Sequence, residues 1–320
     1  MSVPCPQCKH SSILLIETTD INRHRSQDTF QYYRCSNCAL VFLDPIPDNL
    51  GQYYQQEYYA IPNSLDDLKV LAESQRSRLG IVEQYHQSGR LLEIGSSYGD
   101  FAYAAKEAGY QVDVIEMDQE CCNFLNTHTT IHAIQSDNPS ETLSSLGIYD
   151  VIVMWQVIEH VQNPWQLLKV ISEHLASGAV LILATPNPHS LQFRLFRHFW
   201  AHVDCPRHLQ LIPPLLMGHY AESVGLKPAQ ITTNDIESLK HNTFGWKKSL
   251  MNRLGVSVSD GSVEPVETTI INFKPSRSLS YVMSRYMLSI LIWLISLVFS
   301  PIERTGLRGS SYTAVLQKLP

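Results

Sequence analysis

Residues 91 to 101 read LLEIGSSYGDF, and the fold turns on this stretch. Apolar residues run past Glu93 into Gly95, two serines, a tyrosine and Gly99. That is the pattern of a strand entering a tight turn, with glycines letting the backbone come close to a ligand. A dinucleotide-binding turn needs G-x-G-x-x-G, with glycine at 97 and 100, where the chain has Ser97 and Asp100. A phosphate-binding loop needs a closing lysine followed by serine or threonine, which is also absent. The turn is not expected to cradle a phosphate.

Working outward, strand and helix patterns alternate. RLLEIG, YQVDVIE, IHAIQ, YDVIVMW and AVLILATPN read as strands, the last two as continuous apolar runs buried on both faces. DFAYAAKEAG, closed by Gly109, QECCNFLN, and NPWQLLKVISEHLASG, closed by Gly178, read as helices. The alternation predicts a parallel sheet with helices on both faces. Upstream, Leu68, Leu71, Leu79 and Val82 recur at helical spacing and predict one connecting helix from about Leu65 to His86.

The spacing Glu93-x-Gly95-x-Ser97-x-Gly99 resembles motif I of the class I S-adenosylmethionine-dependent methyltransferases, whose usual form is E/D-x-G-x-G-x-G, with serine here at the middle glycine. YDVIVMWQVIEHVQNPWQLL resembles the fourth-strand region of their small-molecule members, and LILATPN the strand after it. The two N-terminal cysteine pairs, followed by VFLDP and YYQQEYY, are similar to a bacterial subgroup of that family with an N-terminal zinc ribbon. The resemblance implies an α/β fold: a Rossmann-like seven-stranded sheet with helices on both faces, a small ribbon before it and a helical insertion before the last strand. On that reading residues 1–60 are ribbon and tyrosine-rich linker. Residues 61–236 are the cofactor-binding core, and 237–308 an insertion serving as lid, dimer or membrane-surface element. Residues 309–320 are the final strand, an antiparallel partner of LKPAQITTNDI.

The implied cofactor is S-adenosyl-L-methionine. Gly95, Ser97 and Gly99 would approach its methionine part, and Glu93 would orient the turn or accept from the amino group. Glu116, 21 residues beyond Gly95 at the end of the next strand, would accept from the ribose hydroxyls. Met117 beside it, and Trp155 and Gln156 at the end of the fourth strand, complete the expected contacts. Asp137 either accepts from the adenine amino group or caps the following helix.

Methyl transfer is an in-line displacement, and a hydroxyl acceptor needs its proton removed, for which histidine has the suitable pKa. Two places offer one: Glu159-His160 after the fourth strand, and WAHVDCPRHLQLIPP, residues 200–214, with His202, Asp204, Arg207 and His208. His208 is the expected base, with Asp204 or a backbone group fixing its tautomer, and His160 its rival. Some relatives bind a divalent ion at the Glu159-His160 turn, but Gln156 stands where the RNA-end type has a second glutamate, so that set reads as incomplete. Cys121, Cys122 and Cys205 read as packing residues.

Cys5, Cys8, Cys35 and Cys38 form C-x2-C pairs separated by 26 residues, a strong signature for one tetrahedral structural zinc. The linker between them mixes Arg23, Arg25 and Arg34 with Glu17, Asp20 and Asp28, and the chain carries a formal net charge of -6. Nucleic acid is therefore not an expected partner. With 44% apolar residues the 320-residue chain can build a real core. MSVPCPQCKH has no apolar run after a basic start, so a reduced, cytoplasmic setting is expected, with peripheral contact at the inner membrane face as one option. Tyr286 to Ile302 is uncharged, with Arg285, Ser289, Ser296 and Ser300 on one helical stripe. This segment, 281–300, is expected to pack in a core or homodimer or to lie on a membrane surface.

Methyl transfer to a small or lipid-linked acceptor, such as a sugar or quinone-like hydroxyl, is the expected function. The alternative is an RNA-modifying or non-catalytic relative using the ribbon as a binding module.

Overall fold

The computed structural model describes residues 2–54, 61–255, 294, 295 and 297–319. In chain order the strands and α-helices are β1 (Val3–Pro4), β2 (Ser11–Thr18), β3 (Phe30–Cys35), β4 (Val41–Leu43), α1 (Leu65–Glu73), α2 (Arg76–Glu83), β5 (Arg90–Ile94), α3 (Asp100–Glu107), β6 (Gln111–Glu116), α4 (Gln119–His128), β7 (His132–Gln135), α5 (Pro139–Ser144), β8 (Tyr149–Trp155), α6 (Pro164–His174), β9 (Leu175–Pro186), α7 (Leu191–Phe196), β10 (Gln210–Leu211), α8 (Pro214–Ser223), β11 (Leu226–Thr232), α9 (Ile236–Arg253) and β12 (Ser311–Lys318).

Seven strands form the main sheet in the order β11-β12-β9-β8-β5-β6-β7, parallel except for β12, which runs antiparallel to both β9 and β11. Chain order reverses around β5, which pairs with β6 on one side and β8 on the other. Open sheets of this kind leave a ligand crevice beyond the carboxyl ends of the strands at such a point. Both faces are covered. Phe101, Ala102 and Ala105 of α3 pack with Leu91, Val114 and Val151, while Leu167, Leu168 and Ile171 of α6 pack with Ile152, Leu181 and Leu183. Each such large aliphatic side chain contributes about 1.5–3 kcal/mol through burial, which is why β8 and β9 carry no alternation.

Three local expectations change. The connecting helix is two helices, α1 and α2. Ser74 bonds back to the Leu71 carbonyl, and the Gln75 amide is drawn to Asp100 Oδ2 at 2.7 Å, which breaks the helical run. α6 ends at His174 rather than Gly178, because Leu175 pairs with Tyr149 and the LASG segment joins β9. The cap of α5 is Asn138, not Asp137, its side chain accepting from the Glu141 amide.

A second, five-stranded antiparallel sheet has the order β1-β2-β3-β4-β10. Its last strand, β10, comes from the segment after β9 and pairs with β4. Nothing in the sequence periodicity pointed to that strand. Most of 281–300, expected to be a core, dimer or membrane-surface helix, lies outside the described residues. Among the described residues no helix is long and apolar enough to cross a membrane.

Candidate active site

β5 delivers the glycine turn. Gly95, Ser97 and Gly99 all take left-handed backbone, with φ of 76°, 54° and 85°. An L-residue pays about 1–2 kcal/mol for that conformation, so Ser97 occupies the middle position at a cost in strain and leaves the turn intact. The turn is also tight: a Cβ on Gly95 would lie 2.5 Å from Val157 Cγ2, and one on Gly99 2.4 Å from Leu125 Cδ2.

Glu116, at the end of β6, accepts from the Ser97 amide at 2.8 Å and from the Asp118 amide at 2.9 Å. It thus ties the glycine turn to the next strand while remaining at the crevice. Burial raises its pKa, and the two backbone N–H groups oppose that rise. Glu93 is buried beneath the turn, its carboxyl pushed well above the usual range first by desolvation and then by Asp100. One Glu93 oxygen has no hydrogen-bond partner. Met117, beside Glu116, is exposed, as is Asp137 on the neighbouring loop.

Trp155 ends β8, packed edge-on against Phe101 at 5.4 Å between ring centroids. Gln156, with φ 57°, turns its side-chain amide to Ser311 Oγ at 3.0 Å. Arg78 of α2 lies over the Trp155 ring at 5.2 Å and is held by Glu237 of α9 at 2.9 Å. It brings a cation to a cluster of carboxylates beside the turn. The sequence reading passed over it, since a single arginine on an amphipathic helix carries no signal.

The two candidate histidines meet. The His160 and His208 rings lie 4.6 Å apart at 85°. His160 Nδ1 is 3.0 Å from the Arg207 carbonyl and 2.9 Å from the Tyr54 hydroxyl, and His208 Nδ1 is 2.8 Å from the His202 carbonyl. A carbonyl only accepts, so each Nδ1 carries the proton and each Nε2 presents a lone pair. Burial pushes His160 down to about 3 and His208 below its ordinary value, so both are neutral at neutral pH. Of the two tautomer-fixing groups expected for His208, the backbone carbonyl is the one in contact. Asp204 instead faces Arg207, with Oδ1 and Oδ2 each at 2.8 Å. Glu159 beside them is buried and pushed up to about 8 by desolvation; one oxygen accepts from Thr185 Oγ1 at 2.9 Å and the other has no partner. The ligand-capable atoms of Glu159, His160 and His208 all lie within 4.8 Å of one another. A shared divalent ion with bonds of about 2.1 Å spans at most about 4.2 Å, so small side-chain movements would close the set.

The four N-terminal cysteines are free thiols: Cys5 and Cys8 lie in the β1–β2 turn, Cys35 ends β3 and Cys38 lies in the β3–β4 turn. Sγ separations of 3.7 Å (Cys5–Cys38), 3.4 Å (Cys8–Cys35) and 3.6 Å (Cys8–Cys38) compare with the edge of about 3.8 Å that tetrahedral bonds of about 2.3 Å require. The amides of Asn37 and Cys38 both point at Cys35 Sγ, at 3.4 Å, as hydrogen bonds to a thiolate ligand do. Donor type and spacing fit zinc.

Comparison with known proteins gives the family of the chain. A family model described as a methyltransferase domain matches residues 66–231. The ribbon and everything after β11 lie outside the match. The ubiquinone biosynthesis O-methyltransferase of Xanthomonas campestris pv. campestris is 21% identical over 188 residues, covering 55% of this chain and 76% of that protein. Its namesake from Caulobacter sp. is 27% identical over 103 residues, 31% of this chain and 41% of the relative. Among solved structures, a SAM-dependent methyltransferase from Archaeoglobus fulgidus aligns with a TM-score of 0.48 at 17% identity, covering 77% of this chain and 94% of that one.

Proposed function

The chain belongs to the methyltransferase-domain family and is an S-adenosylmethionine-dependent methyltransferase; from that premise we propose that it methylates a hydroxyl of a small or lipid-linked acceptor, a phenol of the quinone-precursor kind or a sugar, with His208 as general base. The observation that carries this reading is the pair of neutral imidazoles, His208 buried and His160 half-buried, presenting Nε2 at the carboxyl edge of the sheet. A hydroxyl needs its proton taken as the methyl arrives, whereas an amine does not. The name of the curated relatives, with its O-methyl transfer in ubiquinone biosynthesis, supports an oxygen acceptor.

Bound S-adenosylmethionine supplies an electrophilic sulfonium methyl. Gly95, Ser97 and Gly99 would admit its methionine part, Glu116 would hold the ribose, and Met117, Asp137, Trp155 and Gln156 would border the rest. Arg78 would face its carboxylate. His208 takes the acceptor proton on Nε2 while its Nδ1–H stays on the His202 carbonyl. Cys5, Cys8, Cys35 and Cys38 would hold one structural zinc, with no open coordination position. The net charge of -6 argues against the ribbon as a nucleic-acid grip. Seven cysteines with no disulfide among them suit a reducing cytoplasm, and the 281–300 segment, uncharged from Tyr286 onward, is the element that would meet an inner membrane face or a second copy.

The test is transfer of labelled methyl from S-adenosylmethionine to phenols, sugars, extracted lipids and RNA. His208→Ala should lose about 10²- to 10⁴-fold in turnover while binding S-adenosylhomocysteine as the wild type does. Undiminished activity in that variant, or label entering only RNA, would overturn the reading.

A second reading rests on the convergence of Glu159, His160 and His208, which could share a divalent ion that polarises the hydroxyl. Activity lost on dialysis against a chelator and restored by a divalent ion, with the ribbon zinc retained throughout, would favour it.

A further inference from the structure

The antiparallel sheet at the N-terminus and the acceptor-side histidines are joined by more than contact. Arg207 immediately precedes His208, and its side chain is fully buried. Two carboxylates fork onto it. Asp204 takes the Nε and Nη2 donors at 2.8 Å each, and Asp20, from the loop between β2 and β3, takes Nη2 at 2.7 Å and Nη1 at 3.2 Å. Asp20 is itself fixed by the amides of Arg23 and Arg25, at 3.2 and 2.9 Å. Asn22, two residues on, donates to the Ala201 carbonyl at 2.6 Å and to Asp204 at 2.9 Å. The loop therefore clamps both ends of the segment 201–208.

The same sheet reaches the histidines directly. Tyr32 of β3 donates its buried hydroxyl to the His208 carbonyl at 2.7 Å, and Tyr54, eleven residues beyond the end of β4, contacts His160 Nδ1. The Leu209 peptide bridges the two units: its N–H donates to the Glu159 carbonyl at 2.7 Å, and its carbonyl accepts from the Leu43 amide at 2.9 Å.

We propose that the N-terminal ribbon is a positioning element of the acceptor site, in which Asp20 and Asn22, acting through Arg207 and Asp204, hold the 201–208 segment so that the His202 carbonyl fixes His208 with Nε2 facing the acceptor. Asp20 and Asn22 are positioning residues, not catalytic ones; neither reaches the reacting atoms. The cysteine turns lie at the far end of the same strands, so a bound zinc would hold the sheet and the sheet holds the histidine. The inference rests on the reading of His208 given above. It accounts for two buried carboxylates around one arginine, an arrangement that costs desolvation and that burial of apolar groups would replace without loss of stability.

The experiment is nitrogen-15 imidazole NMR of the full-length, zinc-loaded protein, comparing wild type, Asp20→Asn and Asn22→Ala, with S-adenosylhomocysteine calorimetry and metal analysis alongside. Wild-type His208 should show the Nδ1–H tautomer. Both variants should turn it into a mixture of tautomers, with the S-adenosylhomocysteine Kd within twofold of wild type and zinc still near one equivalent. Turnover on the best acceptor should fall at least tenfold with little change in KM for S-adenosylmethionine. Asn22→Ala is the gentler change and stands if Asp20→Asn fails to fold. An unaltered His208 tautomer in a folded variant overturns the proposal. A wild-type His208 protonated on Nε2 would instead remove the base itself, and is told apart because it appears before any substitution.

Discussion

Gly95→Ala perturbs the turn in a way the geometry makes quantitative. The residue sits at φ 76°, so any Cβ pays about 1–2 kcal/mol for left-handed backbone. The new methyl would also lie 2.5 and 2.9 Å from the two methyls of Val157 and 3.3 Å from its Cβ. Val157 is a β-branched residue just beyond β8, with little rotamer freedom to yield, and overpacking of this kind costs about 1–3 kcal/mol. The sum is about 2–5 kcal/mol, a large part of the 5–15 kcal/mol typical of a whole domain. Urea unfolding should show it as a lower midpoint at unchanged slope. The two parts separate in a double-mutant cycle. Val157→Ala removes the two closest atoms, so Gly95→Ala should cost only its backbone part of about 1–2 kcal/mol in that background. A Gly95→Ala midpoint equal to wild type would refute the turn geometry. A cost unchanged in the Val157→Ala background would refute the steric half and leave only the backbone term.

Other expectations follow from the same geometry. Ser97→Gly relieves a left-handed serine and should stabilise by about 0.5–1 kcal/mol, with S-adenosylhomocysteine affinity retained; a loss of stability would mean the serine side chain supports the turn. Protein purified without added zinc should carry about one equivalent per chain, and a Cys5–Cys38 disulfide in fresh reduced protein would contradict the site. Glu116→Ala should weaken S-adenosylhomocysteine binding at least tenfold, measured by calorimetry, because it removes the proposed ribose acceptor as well as the tie to Ser97. Burial depresses the pKa of His160, His202, His208 and His241, so the unfolded chain takes up protons first. Stability should be complete above the ordinary imidazole value of 6.5 and fall as pH drops, through about 4 for His241 and about 3 for His160. Each imidazole contributes a slope of at most about 1.4 kcal/mol per pH unit; flat stability between pH 6.5 and 4.5 would show that these rings are hydrated.

The sequence by itself determined the sheet and its glycine turn. Glu93, Gly95, Ser97, Gly99 and Glu116 are near neighbours in a strand–turn–helix–strand unit, and local spacing encodes local geometry. The same holds for the cysteine pairs, each within one turn. The ends of elements were less legible: α6 stops at His174 because Leu175 finds Tyr149 across the sheet, a pairing no local pattern contains. What only the tertiary structure decided is the convergence of the histidines. His160 and His208 are 48 positions apart, and Asp20 and Arg207 are 187 apart. Their meeting depends on β10 leaving the core segment to pair with β4, and two residues of strand give no periodicity to read. The Asp204 carboxylate shows the same limit: sequence proximity suggested it for His208, but a buried guanidinium offers a carboxylate two charge-assisted bonds where an imidazole offers one, and Arg207 holds it.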